Sequence, residues 1–236
     1  LPLLCFVILS QVSSYFVYFI FDLLKGTALY DDYGFKMLIS YCVIYLIVMP
    51  LILLIFSELR GKRVRLSLKT CFVKPAKPAG WVCKYVIIAI GLTYLIAVSS
   101  SIISAILEAF GIKLNTSDIS FGDSPFGVIA TVVALPLFAP FFEELLFRGS
   151  IYRNNEQMGQ WFAIIVSGVA FGLWHTNCVQ TIYATGMGII ACALYAKTRS
   201  IIPSMIVHFV INSIAALQQL CMNGLDTDIL KDINTE

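Results

Sequence analysis

Three short polar patterns interrupt the apolar second half of the chain. Glu143 and Glu144 stand side by side in Pro140-Phe-Phe-Glu-Glu-Leu-Leu-Phe-Arg148. His175 closes Phe171-Gly-Leu-Trp-His175, and His208 precedes Asn212 by four positions. His175 and His208 are the only two histidines in the sequence. Ionisable groups inside an apolar span are costly and by default mark function. These residue types suit the hydrolysis of a peptide bond, which needs an activated water and donors for the developing oxyanion. Glu143, poorly solvated beside another carboxylate, is suited to take a proton near neutrality. His175 can share the water or pass its proton to the leaving amine, while His208 and the Asn212 amide can donate to the oxyanion. A second mechanism uses the same atoms. Glu143, His175 and His208 could bind zinc with an open water position, since two histidines and a glutamate form a known catalytic ligand set. The sequence leaves both open.

Helix geometry tests whether the groups can meet. If the helix that carries Glu143 runs to a turn at Met158-Gly159-Gln160, Glu143 lies fifteen residues before Met158 and His175 fifteen after Gln160. At about 1.5 Å per residue each sits roughly 22 Å from that turn, so antiparallel neighbours bring them to matching depth. His208 and Asn212 share a helical face, but His208 begins only about 12 Å from the turn at Ser200 and fits less tightly. Glu144 and Arg148 form an i,i+4 pair that holds Glu144 ionised, leaving Glu143 about 100° away and facing a cavity. Pro140 removes a backbone hydrogen bond and bends the helix just before them.

The elements that must position these residues are membrane spans. Hydrophobic residues make up 59% of the 236 positions and charged residues 13%, with a mean hydropathy of +0.87. That is about half the charge of a soluble domain. The fold class is all-α, a polytopic bundle of about seven spans (six to eight), with the active-site cavity inside it. Runs of about twenty apolar residues place them at Leu1–Leu24, Met37–Phe56, Trp81–Phe110 (longer than a bilayer needs, with an amphipathic end), from Phe126 through Pro136 and Pro140, Trp161–Trp174, Ile182–Ala196 and Ile201–Leu220. Residues 1–110 form an N-terminal transmembrane part with a basic loop at 57–80, residues 126–221 a catalytic core, and 222–236 a polar, frayed tail. The first run lacks a basic lead and is too long for a signal peptide, so it is read as a span whose start is cut off. Gly168 and Gly172, and the stripe Ala184, Gly188, Cys192 and Ala196, allow close helix packing. The seven cysteines are scattered with no CxxC pair, so they are packing residues.

Lysine and arginine placement orients the bundle. Arg60, Lys62, Arg63, Arg65, Lys69, Lys74, Lys77 and Lys84 cluster around the 57–80 loop, and Arg148, Arg153, Lys197 and Arg199 fall on the same side. The N-terminus is therefore cytoplasmic. A basic run can bind nucleic acid, but beside two spans it is an anchor near anionic lipid, and no nucleic-acid partner is expected.

The patterns EExxxR, FxxxH and HxxxN resemble those of the CAAX-protease and bacteriocin-processing family, the type II CAAX prenyl endopeptidase-like or Abi group, often labelled intramembrane metalloproteases. The similarity covers roughly Thr131 to Ala215. The resemblance implies an endopeptidase acting on a membrane-associated protein or peptide precursor in a bacterial plasma membrane. It assigns water activation to Glu143 and His175 and the oxyanion to His208 and Asn212, with Glu144 and Arg148 completing the site. Zinc at Glu143, His175 and His208 is conditional in this family, and the metal-free mechanism is preferred. Compact loops favour peptide over prenyl-protein substrates.

One buried Glu, His or Asn can simply bridge helices, but the whole set in this order points to function. Phe147 and Phe171 are expected to pack; Trp174 either borders the cavity or fills it. Asp31-Asp32 has no later GxGD partner and is loop acidity; HExxH and GxSxG are absent. The alternative class is a non-catalytic scaffold or bacteriocin immunity protein that binds a membrane-protein partner. A transporter would show broken helices and internal symmetry, which the sequence lacks.

Overall fold

The computed structural model describes residues 2–58, 68–114, 124–175 and 177–233. Among them there is no strand, and the chain forms a polytopic helical bundle with seven long helices. These are α1 (Pro2–Leu23), α2 (33–58), α3 (Ala79–Ala109), α4 (Pro125–Met158), α5 (Gln160–Trp174), α6 (Cys178–Thr198) and α7 (Ile202–Ile233). Five of them, α2, α3, α4, α6 and α7, are long and apolar enough to cross a membrane; α5 is a shorter apolar helix. Helix α1 has 22 residues, enough to span as well. Bulky apolar side chains such as Tyr15, Ile87, Leu95 and Trp161 are exposed, as expected where lipid is the solvent.

Helix ends follow local chemistry. Asp32 caps α2 by accepting from the Phe35 amide, Ser124 caps α4 by accepting from Gly127, and Asn177 caps α6 by accepting from Gln180. Such side chains satisfy the orphan amides of a first turn. Asp32 also accepts from the Ser124 hydroxyl at 2.7 Å, so the starts of α2 and α4 are tied together. A Cβ on Gly34 would collide with the backbone of Gly127, which explains a glycine at this crossing.

At the opposite end the segment after the basic loop docks on the α6–α7 turn. Ala76 donates to the Thr198 carbonyl at 2.7 Å and Ile201 to the Cys71 carbonyl at 3.0 Å. Arg153 points its guanidinium at the Cys71 sulfur, 3.2 Å away. Lys74, Lys77, Arg153, Lys197 and Arg199 thus share one end of the bundle. Arg60, Lys62, Arg63 and Arg65 lie outside the described residues.

Helix α4 is not the regular α-helix that a simple rise per residue assumes. Wide π turns run over Ala130–Phe138 and again over Leu145–Tyr152, with ordinary α turns over Ala139–Glu144 between them. Helix α2 has a π segment at Ile44–Val48. Such segments are rare and gather at functional sites. Helix α7 runs from Ile202 through Asn223 to Ile233. Leu225, Ile229, Leu230 and Ile233 keep helical spacing and no proline intervenes.

Helices α5 and α6 pack most intimately. Gly168 and Gly188 face each other, and a Cβ on Gly188 would come within 2.9 Å of the Gly168 backbone. The stripe Ala184, Gly188, Cys192 and Ala196 is buried as its spacing predicts. Cys42, Cys71, Cys83, Cys178, Cys192 and Cys221 are free, and Cys71 and Cys192 are buried as packing groups.

Candidate active site

The site is assembled by α2, α4, α5, α6 and α7. Its deepest layer is a buried ion pair. Glu144 and Arg148 are both fully buried, with Arg148 Nη1 2.9 Å from Glu144 Oε1. Arg148 Nη2 donates to the Gly188 carbonyl at 3.1 Å, reaching α6 at the point where the paired glycines bring it close. Buried charges need such partners, and removing one of them costs about 3–5 kcal/mol.

This layer sets the histidine above it. His208 Nδ1 lies 3.1 Å from Glu144 Oε1. With Glu144 held against Arg148, the ring donates from Nδ1, and Nε2 turns toward Glu143 Oε2 at 3.8 Å. A carboxylate behind an imidazole fixes its orientation and tautomer in this way. Rise per residue made His208 the loosest fit, yet it is tightly engaged. The π turns over Leu145–Tyr152 advance less per residue than the α-helical rise used to place Glu143.

Glu143 faces away from this pair, as an offset of one residue in a helix requires. It is buried, its Oε1 accepts from the Tyr45 hydroxyl at 2.7 Å, and its Oε2 has no hydrogen-bond partner among the described residues. His175 caps the C-terminal end of α5. Its Nδ1 lies 2.9 Å from the Phe171 carbonyl, so Nδ1–H donates there and Nε2 remains available.

Phe171 is the platform under the whole set. Its ring meets the Arg148 guanidinium at 4.9 Å, His175 at 5.0 Å edge-on and His208 at 5.5 Å edge-on. Phe147 packs edge-on against it as well. Both phenylalanines are packing residues, as expected, and in Phe171 the packing orients three polar groups at once.

Asn212 has a distinct engagement. Its amide nitrogen donates to the Leu135 carbonyl at 2.8 Å. In the surrounding π turns each amide reaches five residues back, as Ala139 does to Ala134. The corresponding partner of Leu135 would be Pro140, which has no N–H. The asparagine therefore satisfies the carbonyl that Pro140 leaves open, and one amide hydrogen remains.

A cavity of about 400 Å³ is lined by Glu143, His175, His208 and Asn212, together with Tyr41, Tyr45, Trp174, Gln180 and Tyr183. The four sequence-selected residues thus share one hollow, with Glu144 and Arg148 behind it. Trp174 borders the cavity. Tyr45 was not among the candidates, because one tyrosine in an apolar run carries no spacing signal. Only the packing of α2 on α4 reveals it.

Among the described residues no three His, Cys, Asp or Glu side chains group closely enough to hold a metal ion. Each histidine gives Nδ1 to the protein, His175 to a carbonyl and His208 to Glu144, and Glu143 gives Oε1 to Tyr45, which leaves both Nε2 atoms and Glu143 Oε2 as the atoms a bound group would meet.

Comparison with known proteins agrees with the motif reading. Residues 125–214 match the family model of the type II CAAX prenyl endopeptidase Rce1-like proteins. A curated protein of Bacillus subtilis (strain 168), named "Putative membrane peptidase YdiL", is 25% identical over 143 residues, which is 56% of this chain. The match spans 59% of that relative's length. No solved structure matches the chain. The matched segment contains Glu143, Glu144, Arg148, His175, His208 and Asn212, and over residues 125–214 the chain is similar to the type II CAAX prenyl endopeptidase Rce1-like family.

Proposed function

We propose that the protein is an intramembrane endopeptidase that hydrolyses a peptide bond in a membrane-associated protein or peptide precursor. The observation that carries this reading is Glu143 Oε2, a buried carboxylate oxygen without a hydrogen-bond partner among the described residues, set in a cavity that His175, His208 and Asn212 also line. In this proposal a water lies between Glu143 and His175 Nε2. Glu143 takes a proton as the water oxygen bonds to the scissile carbonyl carbon. In this proposal His208 acts as the imidazolium, its Nδ1–H held by Glu144, so that its Nε2–H and the spare amide hydrogen of Asn212 donate to the oxyanion, in a site where fixed dipoles act strongly because water is scarce. Collapse of the tetrahedral intermediate breaks the C–N bond, and the proton held by Glu143, relayed through His175, goes to the leaving amine. Tyr45 holds Glu143 in place. Every step uses the chain's own side chains.

The matched family segment and the curated relative's name support a membrane peptidase. A bacterial plasma membrane with the basic end in the cytoplasm is the setting we propose, on the strength of the lysine and arginine distribution. A second reading, a non-catalytic scaffold or immunity protein that binds a membrane partner, draws support from the same network. Glu144, His208 and Asn212 each bridge helices.

One experiment separates the two. Peptides released from membranes of cells with and without the chain are compared, and the comparison is repeated with Glu143→Gln. Proteolysis predicts products that vanish with Glu143→Gln while protein abundance is unchanged. Products or phenotype that survive the substitution would sink the peptidase reading.

A further inference from the structure

A second hollow, which shares no lining residue with the polar cavity, lies on the outer wall between α3 and α6. It measures about 370 Å³ and is lined by Trp81, Tyr85, Ile88, Ala89, Leu92, Ile190, Ala193, Leu194 and Lys197. From Trp81 to Leu92 its α3 wall covers eleven residue steps, roughly 16 Å. That is about half of the 30 Å hydrocarbon core, the depth of one leaflet. Tyr85, Ile88 and Leu92 are exposed, so this wall faces lipid.

One end of the hollow is cationic. Lys197 lines it, Lys77 reaches to 5.8 Å from the Trp81 ring, and Lys84 to 6.0 Å from the Tyr85 ring. None of the three lysines forms an ion pair among the described residues, whereas neighbouring Arg199 is paired with Glu156. The contact of Ala76 with Thr198 fixes the Lys77 segment beside the Lys197 end of α6. Trp81 stacks on Tyr85 with centroids 4.1 Å apart, and amphipathic rings of this kind sit at headgroup level. We infer that this groove is a binding site for one anionic phospholipid, with the phosphate among Lys77, Lys84 and Lys197 and one acyl chain laid along Ile88, Leu92 and Ile190.

The charge complement and the one-leaflet depth argue for this occupant. A zwitterionic lipid would leave three ammonium groups facing one neutral headgroup, and a free phosphate would leave the apolar wall uncovered. The site is independent of whether the polar cavity is catalytic.

The test uses the full chain in neutral detergent, titrated with phosphatidylglycerol and with phosphatidylcholine of identical chains. Retained lipid is counted by native mass spectrometry. The expected result is one phosphatidylglycerol held in preference to phosphatidylcholine. The triple change Lys77→Gln, Lys84→Gln, Lys197→Gln should weaken phosphatidylglycerol on the order of a hundredfold, given about a tenfold loss for each 1.4 kcal/mol and about 1 kcal/mol per lysine near an anionic headgroup. Ala193→Phe, which fills the groove and keeps the charges, should weaken both lipids. Phosphatidylglycerol with six-carbon chains should bind far less than the long-chain form to the unaltered protein, a readout that needs no variant. Equal retention of the two headgroups, a preference that survives the triple change, or displacement by inorganic phosphate at comparable concentration would each overturn the proposal.

Discussion

At the scale of single residues the site divides labour between two adjacent carboxylates. Glu144 is neutralised by Arg148 and orients His208, whereas Glu143 keeps one oxygen toward the cavity. Tyr45 is the donor that holds the other oxygen. Hydrogen bonds to a charged group contribute about 1.5–3 kcal/mol, so Tyr45→Phe should lower turnover by about tenfold, since 1.36 kcal/mol corresponds to a factor of ten in rate. The double variant with Glu143→Gln should be no slower than Glu143→Gln alone. Independent, multiplying losses in that cycle would mean that Tyr45 does not act through Glu143. Asn212 presents a different case, because its amide stands in for the N–H that Pro140 lacks. Asn212→Ala should leave the Leu135 carbonyl unpaired and cost about 1–3 kcal/mol of stability, measured by thermal unfolding, along with activity. A variant of unchanged stability would remove the positioning role.

At the scale of elements, precision comes from the closeness of α5 and α6. The Gly168–Gly188 contact lets Arg148 reach the Gly188 carbonyl, and Arg148 in turn holds Glu144. Gly172 sits against Thr181 and Thr185; a Cβ there would lie 2.6 Å from the Thr181 carbonyl oxygen and closer still to the Thr185 hydroxyl. Lipid offers no hydrophobic drive to restore such an interface once it is wedged open. Gly172→Val should cost on the order of 1–3 kcal/mol and lower activity, because it displaces Phe171 and His175 on the same helix. Thermal unfolding and cleavage assays on the same preparation test this, and a fully active, equally stable variant would contradict the packing account. The π turns of α4 serve the same end. They rotate Glu143 and Glu144 out of the register of a regular helix, and the two prolines in that stretch restrict how the helix can relax.

Across the whole molecule the two ends are stitched differently. One end joins α2 to α4 through Asp32 and Ser124; the other joins the post-loop segment to the α6–α7 turn. The Ser124 hydroxyl, and then the Phe35 amide, hold the Asp32 carboxyl below its ordinary value of 3.8. A depressed carboxylate stabilises the fold above its unfolded value, and that contribution disappears as pH falls through the lower, folded one. Asp32→Asn should therefore unfold at a lower temperature than the unaltered protein at neutral pH, with the gap closing below about pH 4. A gap that persists undiminished in strong acid would show that the ionised carboxylate is not what ties the helices. Should α2 detach from α4 at this end, Tyr45 would lose its approach to Glu143, so this distant tie also bears on the site.

Composition alone determined that the chain lives in a membrane and is helical, because so few charges cannot keep a soluble surface wet. The spacing of its few buried polar residues identified Glu143, Glu144, Arg148, His175, His208 and Asn212, since polar groups in apolar spans stand out against their surroundings. Helix starts were legible to within a few residues, but the path of α4 was not. Alternation between α and π turns depends on which carbonyls find partners on other helices, and no local pattern encodes it. The place of Tyr45 and the bond from Asn212 to Leu135 were decided by tertiary structure alone. Each depends on angles and distances between helices remote in sequence, where an error of one residue in register moves a side chain by about 100°.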